Sequence, residues 1–242
     1  MKRFTFFFIF CSLFSYAQNV LRVDYDFSRT PREIKGLENI SDAMKNQILG
    51  QIQKPKKQVL LYSNGNSIYA EQNELTENPS KSFMKQTHYG ESTKILKSKD
   101  DKGIYSYYKF PNEEFYTYQI PIWKKIEYKS ETENIAGFDC KLVEVTDEEN
   151  RLLKIWYTEI LHINAGPSIY YGFPGLVLKV ESSNFKIIAT NVDNDTEKIE
   201  IEKRNPNLKI LSEADVEKKM ENIENLIGTP QQKIEIKKIH SN

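Results

Sequence analysis

The stretch Gly166-Pro167-Ser168-Ile169-Tyr170-Tyr171-Gly172-Phe173-Pro174-Gly175-Leu176-Val177-Leu178-Lys179-Val180 decides the reading of this chain. Three of the ten glycines fall within it. Phe173-Pro174-Gly175-Leu176 places proline second and glycine third in a four-residue turn. Proline pre-sets φ near −65° and glycine accepts the positive φ that a type II turn needs, so a type II corner is expected. Leu176 to Val180 then leave the corner as a run apolar on both faces, which predicts a central, buried strand. Gly166, Pro167, Gly172, Phe173, Pro174, Gly175 and Leu176 are therefore candidate loop residues. Either they form a structural corner, or the loop 159–175 closes over a cavity or a partner.

Working outward, residues 20–27 alternate apolar Leu21, Val23, Tyr25 and Phe27 with polar neighbours, the pattern of a half-buried strand. Asn64-Gly65 between the β-prone runs 58–62 and 67–70 is a hairpin signal, because a type I′ turn needs positive φ at both central positions. Further strands are expected at 93–96, 104–110, 115–120, 123–128, 137–145, 152–158, 185–190, 198–202 and 234–236. Apolar spacing of three and four predicts a helix over 37–53. A second is expected over 213–226, where Ser212 and Asp215 suggest a capping box before Val216 and Met220. Residues 72–87 read as a surface loop. The fold class expected is mainly β: a large antiparallel curved sheet or half-barrel with one or two helices packed on its concave face.

The chain opens Met1-Lys2-Arg3 followed by Phe- and Ile-rich sequence to Ala17-Gln18. A basic start, an apolar run and small residues at Ser15 and Ala17 predict a secretory signal peptide, residues 1–17, before a single β-rich domain, 18–242. The apolar run is too short to cross a bilayer, so no transmembrane span is expected. Its removal leaves 32 basic against 34 acidic residues. Without a basic excess, nucleic acid is excluded as a partner. Cys140 is then the single remaining thiol. The alternation Phe138, Cys140, Leu142 places it on an apolar face, where a buried thiol packs as a small hydrophobe.

Other chemistry is sparse. His88, His162 and His240 show no metal-ligand spacing, and no phosphate-binding or nucleophile-elbow motif occurs. No carboxylate pair stands out, no catalytic residue is assigned, and no cofactor or metal is expected. The strands dense in tyrosine offer Tyr105, Tyr107, Tyr116 and Tyr118, with Trp156, as candidate lining of a ligand groove. Tyrosine joins an apolar body to a polar tip, which suits a partly wet sheet face.

A resemblance attaches to these residues. Gly166-Pro167 and Gly172-Phe173-Pro174-Gly175-Leu176-Val177-Leu178, preceded by Trp156-Tyr157-Thr158, resemble the signature of the GLPGLI family of exported Bacteroidetes proteins. The segment Ile135-Ala136-Gly137-Phe138-Asp139-Cys140-Lys141 is similar to that family's glycine-aromatic-x-cysteine-lysine segment. The resemblance implies an exported, β-rich protein, periplasmic or outer-membrane associated, and brings no catalytic residues with it. The leading expectation is a non-enzymatic cell-envelope protein holding a lipid, another hydrophobic ligand or an outer-membrane partner. One alternative is a hydrolase using His162 or Cys140. Another is a structural interaction module.

Overall fold

The computed structural model describes residues 20–30, 41–44, 50, 54–72, 94–110, 113–195 and 201–227. They build one curved sheet of twelve strands. In chain order the strands are β1 (Val20–Arg29), β2 (Lys56–Ser63), β3 (Asn66–Glu71), β4 (Lys94–Lys97), β5 (Ile104–Lys109), β6 (Glu114–Gln119), β7 (Lys125–Ile135), β8 (Phe138–Thr146), β9 (Leu152–Thr158), β10 (Leu176–Glu181), β11 (Phe185–Asp195) and β12 (Lys209–Leu211). The helix α1 (Glu213–Ile227) follows β12. Two antiparallel meanders, β1 to β6 and β7 to β11, meet along the β1–β11 seam. The three-residue strand β12 adds in parallel to β6, which makes the sheet mixed rather than purely antiparallel.

The topology dictates the curvature. Nine strands separate β6 from β7 in the sheet, yet only residues 120–124 connect them. Flat strands about 4.8 Å apart would hold β6 and β7 nearly 50 Å apart, whereas such a link spans about 20 Å at most. The sheet therefore curls until its two meanders face one another. Trp123 of the link packs on the loop 159–175, 6.1 Å from the Tyr170 ring and 6.3 Å from Phe173. Register shifts between Tyr128 and Thr132 of β7 and between Val177 and Lys179 of β10 add local bends.

The register separates the two faces. On one, Val23, Leu60, Tyr69 and Ile95 continue into a core with Val143, Ile155 and Val180. The loop 159–175 covers this face and buries Ala165, Tyr170 and Phe173. Helix α1 covers its far end, where Val216 and Met220 pack on Phe110 and Phe115. Ser212 caps α1: its hydroxyl accepts from the Asp215 N–H at 3.2 Å and donates to the Asp215 carboxylate at 2.6 Å. On the opposite face Val59, Leu61, Ile68, Leu96, Tyr105 and Tyr116 lie beneath the irregular segment 201–208, which contributes Ile201 and Leu208.

Asn64 (φ 50°) and Gly65 (φ 84°) form the expected hairpin turn between β2 and β3. All of Leu176 to Val180 is buried, as the two-sided apolar run requires. The type II corner is not formed. Gly175 N–H donates to Phe173 C=O at 2.7 Å, a three-residue turn centred on Pro174, and Gly175 has a nearly extended φ of 159°. Glycine is needed there for another reason: an added Cβ would lie 2.0 Å from the Thr158 carbonyl oxygen. Residues 201 and 202 are not strand. Of the helix expected over 37–53, residues 42–44 are helical, with the Ser41 hydroxyl accepting from the Met44 N–H at 3.4 Å. Residues 1–17, 73–87, 196–200 and 234–236 lie outside the described residues.

Candidate functional site

The loop 159–175 is held at closely spaced points. Ala165 C=O accepts from Val177 N–H at 3.0 Å, Asn164 accepts from Gly172 N–H at 2.7 Å, and the Tyr171 hydroxyl donates to Lys102 C=O at 3.0 Å. Gly166 passes so near Tyr170 and Val177 that a Cβ would meet the Tyr170 carbonyl oxygen at 2.0 Å. Opposite, the Tyr25 hydroxyl donates to Val177 C=O at 2.6 Å in the core. Gly166, Pro167, Phe173, Gly175 and Leu176 are thus buried, while Gly172 and Pro174 face solvent. Beneath the loop a cavity of about 10 Å³ is lined by Ser67, Tyr69, Ile95, Lys97, Ala165, Gly166, Ser168 and Tyr171, among others. It offers room for a single water-sized guest and none for an acyl chain.

The tyrosines form a second constellation. Strand register brings Tyr105 opposite Tyr118 and Tyr107 opposite Tyr116, so all four share the face beneath 201–208. Tyr116 is closed off, its hydroxyl accepting from the Asn205 N–H at 3.2 Å, while Tyr118 remains 38% exposed. Charged groups ring them. The Arg204 guanidinium lies 5.0 Å from the Tyr105 ring centre, and the Lys94 ammonium lies 5.9 Å from that of Tyr107 and 2.5 Å from the Glu202 carboxylate. Burial raises the Tyr107 hydroxyl well above its ordinary range, helped by its hydrogen bond to Glu114 and the charges of Glu114 and Glu202. Two carboxylates distant in sequence therefore converge on one tyrosine, a pairing that linear spacing did not reveal.

Trp156 is not part of this group. It belongs to the other core, where the Lys179 ammonium sits 4.0 Å from its ring centre and bonds both Glu133 oxygens at 3.1 and 2.8 Å. Cys140 is buried in the same core. Its thiol donates to Phe138 C=O at 3.4 Å, and burial, with the charges of Glu133 and Asp139, pushes it up to about 11. A thiol so protonated and enclosed is not a nucleophile. His162 lies exposed on the loop, and among the described residues no carboxylate pairs with it. Neither residue carries the arrangement that hydrolysis through it requires.

The family model described as "N-glycanase peptide, N-terminal domain" matches residues 43–216. The chain belongs to that family. Five chains of solved structures also match it. One of them, a structure of PNGF-II in space group C2, superposes with a TM-score of 0.55 at 15% identity, over 83% of this chain and 32% of that one. The likeness shows a shared fold, and this chain spans about a third of the other's length. A comparison with curated proteins finds no match.

The family match replaces the resemblance drawn from the Gly-Phe-Pro-Gly corner: the GLPGLI assignment finds no support, and the corner is explained by packing. It also overturns the expectation of a non-enzymatic envelope protein with a hydrophobic ligand, since the matching family is described as the N-terminal domain of an N-glycanase. No lipid or outer-membrane partner gains support. Among the described residues no helix is long and apolar enough to cross a membrane.

Proposed function

We propose that this chain works in a glycosidase-type hydrolysis directed at N-glycans, as its family name implies. The match over residues 43–216 carries this reading. The tyrosine face is the surface suited to sugar. Tyr107 and Tyr118, at its open margin, offer aromatic faces to the apolar side of a sugar ring, and Arg204, Glu114 and Glu202 offer charged partners to its hydroxyls. An exported location, which the leader at 1–17 predicts, suits a substrate of this kind because N-glycans are carried on secreted proteins.

The Glu114–Tyr107–Glu202 cluster favours a specific form of this reading. Glycosidases commonly place two carboxylates about the scissile bond, one to protonate the leaving oxygen and one to activate water or attack. Glu202, ion-paired with Lys94, is one carboxylate on this face. Glu114, hydrogen-bonded by Tyr107 and 3.6 Å from the Lys109 ammonium, is the second carboxylate on this face.

The test incubates the full chain with an N-glycosylated protein and with its enzymatically deglycosylated form. It reads retention on an affinity column and released glycan by mass spectrometry. Retention of the glycosylated form alone is expected, weakened by Tyr118→Ala. Release, if it accompanies retention, should fall about 10²-fold or more in Glu202→Gln. Neither retention nor release from the full chain would overturn the reading.

A further inference from the structure

The cavity beneath the loop 159–175 is set apart by what its donors lack. Lys97, at the end of β4, lines it and is half-buried. Its ammonium lies 5.1 Å from the Tyr171 ring centre, and among the described residues no carboxylate pairs with it. The ring cannot neutralise it, and the Tyr171 hydroxyl is already committed to Lys102. Gly166 and Ser168 also line the cavity, and among the described residues their N–H groups find no acceptor. Ser168 holds a left-handed φ of 53° and Gly166 is buried. A buried N–H group such as that of Gly166 rarely goes without an acceptor, and a partly buried ammonium gains from a nearby counter-charge.

We propose that this cavity is a site for a small monovalent anion of chloride size, held by the Lys97 ammonium and the N–H groups of Gly166 and Ser168. Water would answer the N–H groups and leave the ammonium uncompensated; an anion answers both. The size favours a small anion, because about 10 Å³ admits one water-sized guest. Backbone N–H groups arranged in turns are common anion sites, and here a lysine adds full charge. The closeness of Gly166 to Tyr170 and Val177 keeps the loop against the sheet. The site is independent of the sugar surface and would tie the stability of the loop to halide concentration.

Two measurements test it. Crystals of the full chain soaked in sodium bromide should show an anomalous peak beside Lys97 Nζ. Separately, thermal unfolding is followed in sodium chloride, sodium acetate and sodium gluconate at equal ionic strength. A transition that rises with the logarithm of chloride concentration is expected, with acetate behaving like gluconate, and Lys97→Met should abolish the difference. No bromide peak, or equal protection by acetate and chloride, refutes the proposal. So does a chloride effect retained in full by Lys97→Met.

Discussion

Replacing Gly175 with alanine separates packing from backbone conformation as the reason for glycine at the corner. The added Cβ would stand 2.0 Å from the Thr158 carbonyl oxygen and 2.7 Å from its carbonyl carbon, against 3.4 Å for an ordinary contact. The overlap is with backbone, so no side chain can swing aside. Thr158 ends β9, beside the fully buried Leu176 to Val180, and both strands lie inside the sheet. Overpacking of this kind costs about 1–3 kcal/mol and sometimes more, and a rigid backbone partner places Gly175→Ala near 3 kcal/mol. For a protein of this length that lowers the melting temperature by roughly 6–12 °C. Gly172→Ala is the control. It has φ 93° and nothing within 4 Å, so it bears only the left-handed backbone penalty, about 1 kcal/mol. Urea unfolding with far-UV circular dichroism measures both. If Gly172→Ala proves as harmful as Gly175→Ala, the packing argument fails.

Three further expectations follow from the core. Glu133→Gln should destabilise more than Lys179→Met, by about 1 kcal/mol, because it leaves an ammonium with an 8% exposed side chain only the longer pairing to Glu181 at 3.5 Å, while the reverse change lets Glu133 hydrate; chemical denaturation of the pair decides it. Tyr25→Phe should cost about 1–2 kcal/mol by stranding the Val177 carbonyl in the core, and a smaller loss by the same assay would mean that water replaces the hydroxyl. Burial raises the Cys140 thiol from 9.0 to about 11 and moves the Tyr25 and Tyr69 hydroxyls upward from 10.0. Above pH 9 the unfolded chain therefore loses protons that the folded chain keeps, so stability should fall as pH rises toward 11; a flat profile of unfolding free energy between pH 8 and 10.5 contradicts this.

The strands were legible where period-two alternation is strong, as in Leu21, Val23, Tyr25 and Phe27, and where turn chemistry is unambiguous, as at Asn64-Gly65. The second half of β7 was missed because Ser130 to Asn134 are polar: as an edge strand it has only one neighbour and an exposed flank. Strand β12 was missed because three residues carry no period, and its partner β6 lies about ninety residues away. At the corner, proline and glycine were read as a dihedral requirement when the constraint is the approach of Thr158. The shared face of Tyr105 and Tyr107 could be read from their spacing. Glu114 reaches Tyr107 through the β5–β6 pairing, but that Glu202 joins them, or that Lys97 lies beneath Gly166, depends on how distant segments pack on the sheet, which no local pattern encodes.

The seam between the meanders sets an order on folding. Val20 pairs with Asp195 and Arg29 with Phe185, so the first strand made waits for nearly the last. Contacts between such distant residues form slowly because a long loop must close first. At about 5–20 residues per second, synthesis alone leaves β1 without that partner for roughly 10–30 s. During that interval β2 can shelter one edge of β1 while the other, with its N–H and C=O groups still unpaired, stays open beside the apolar face of Val23 and Tyr25. The newly made chain thus passes through a stage in which a hydrophobic sheet edge is exposed, and for that time a chaperone or a neighbouring copy competes with β11 for it.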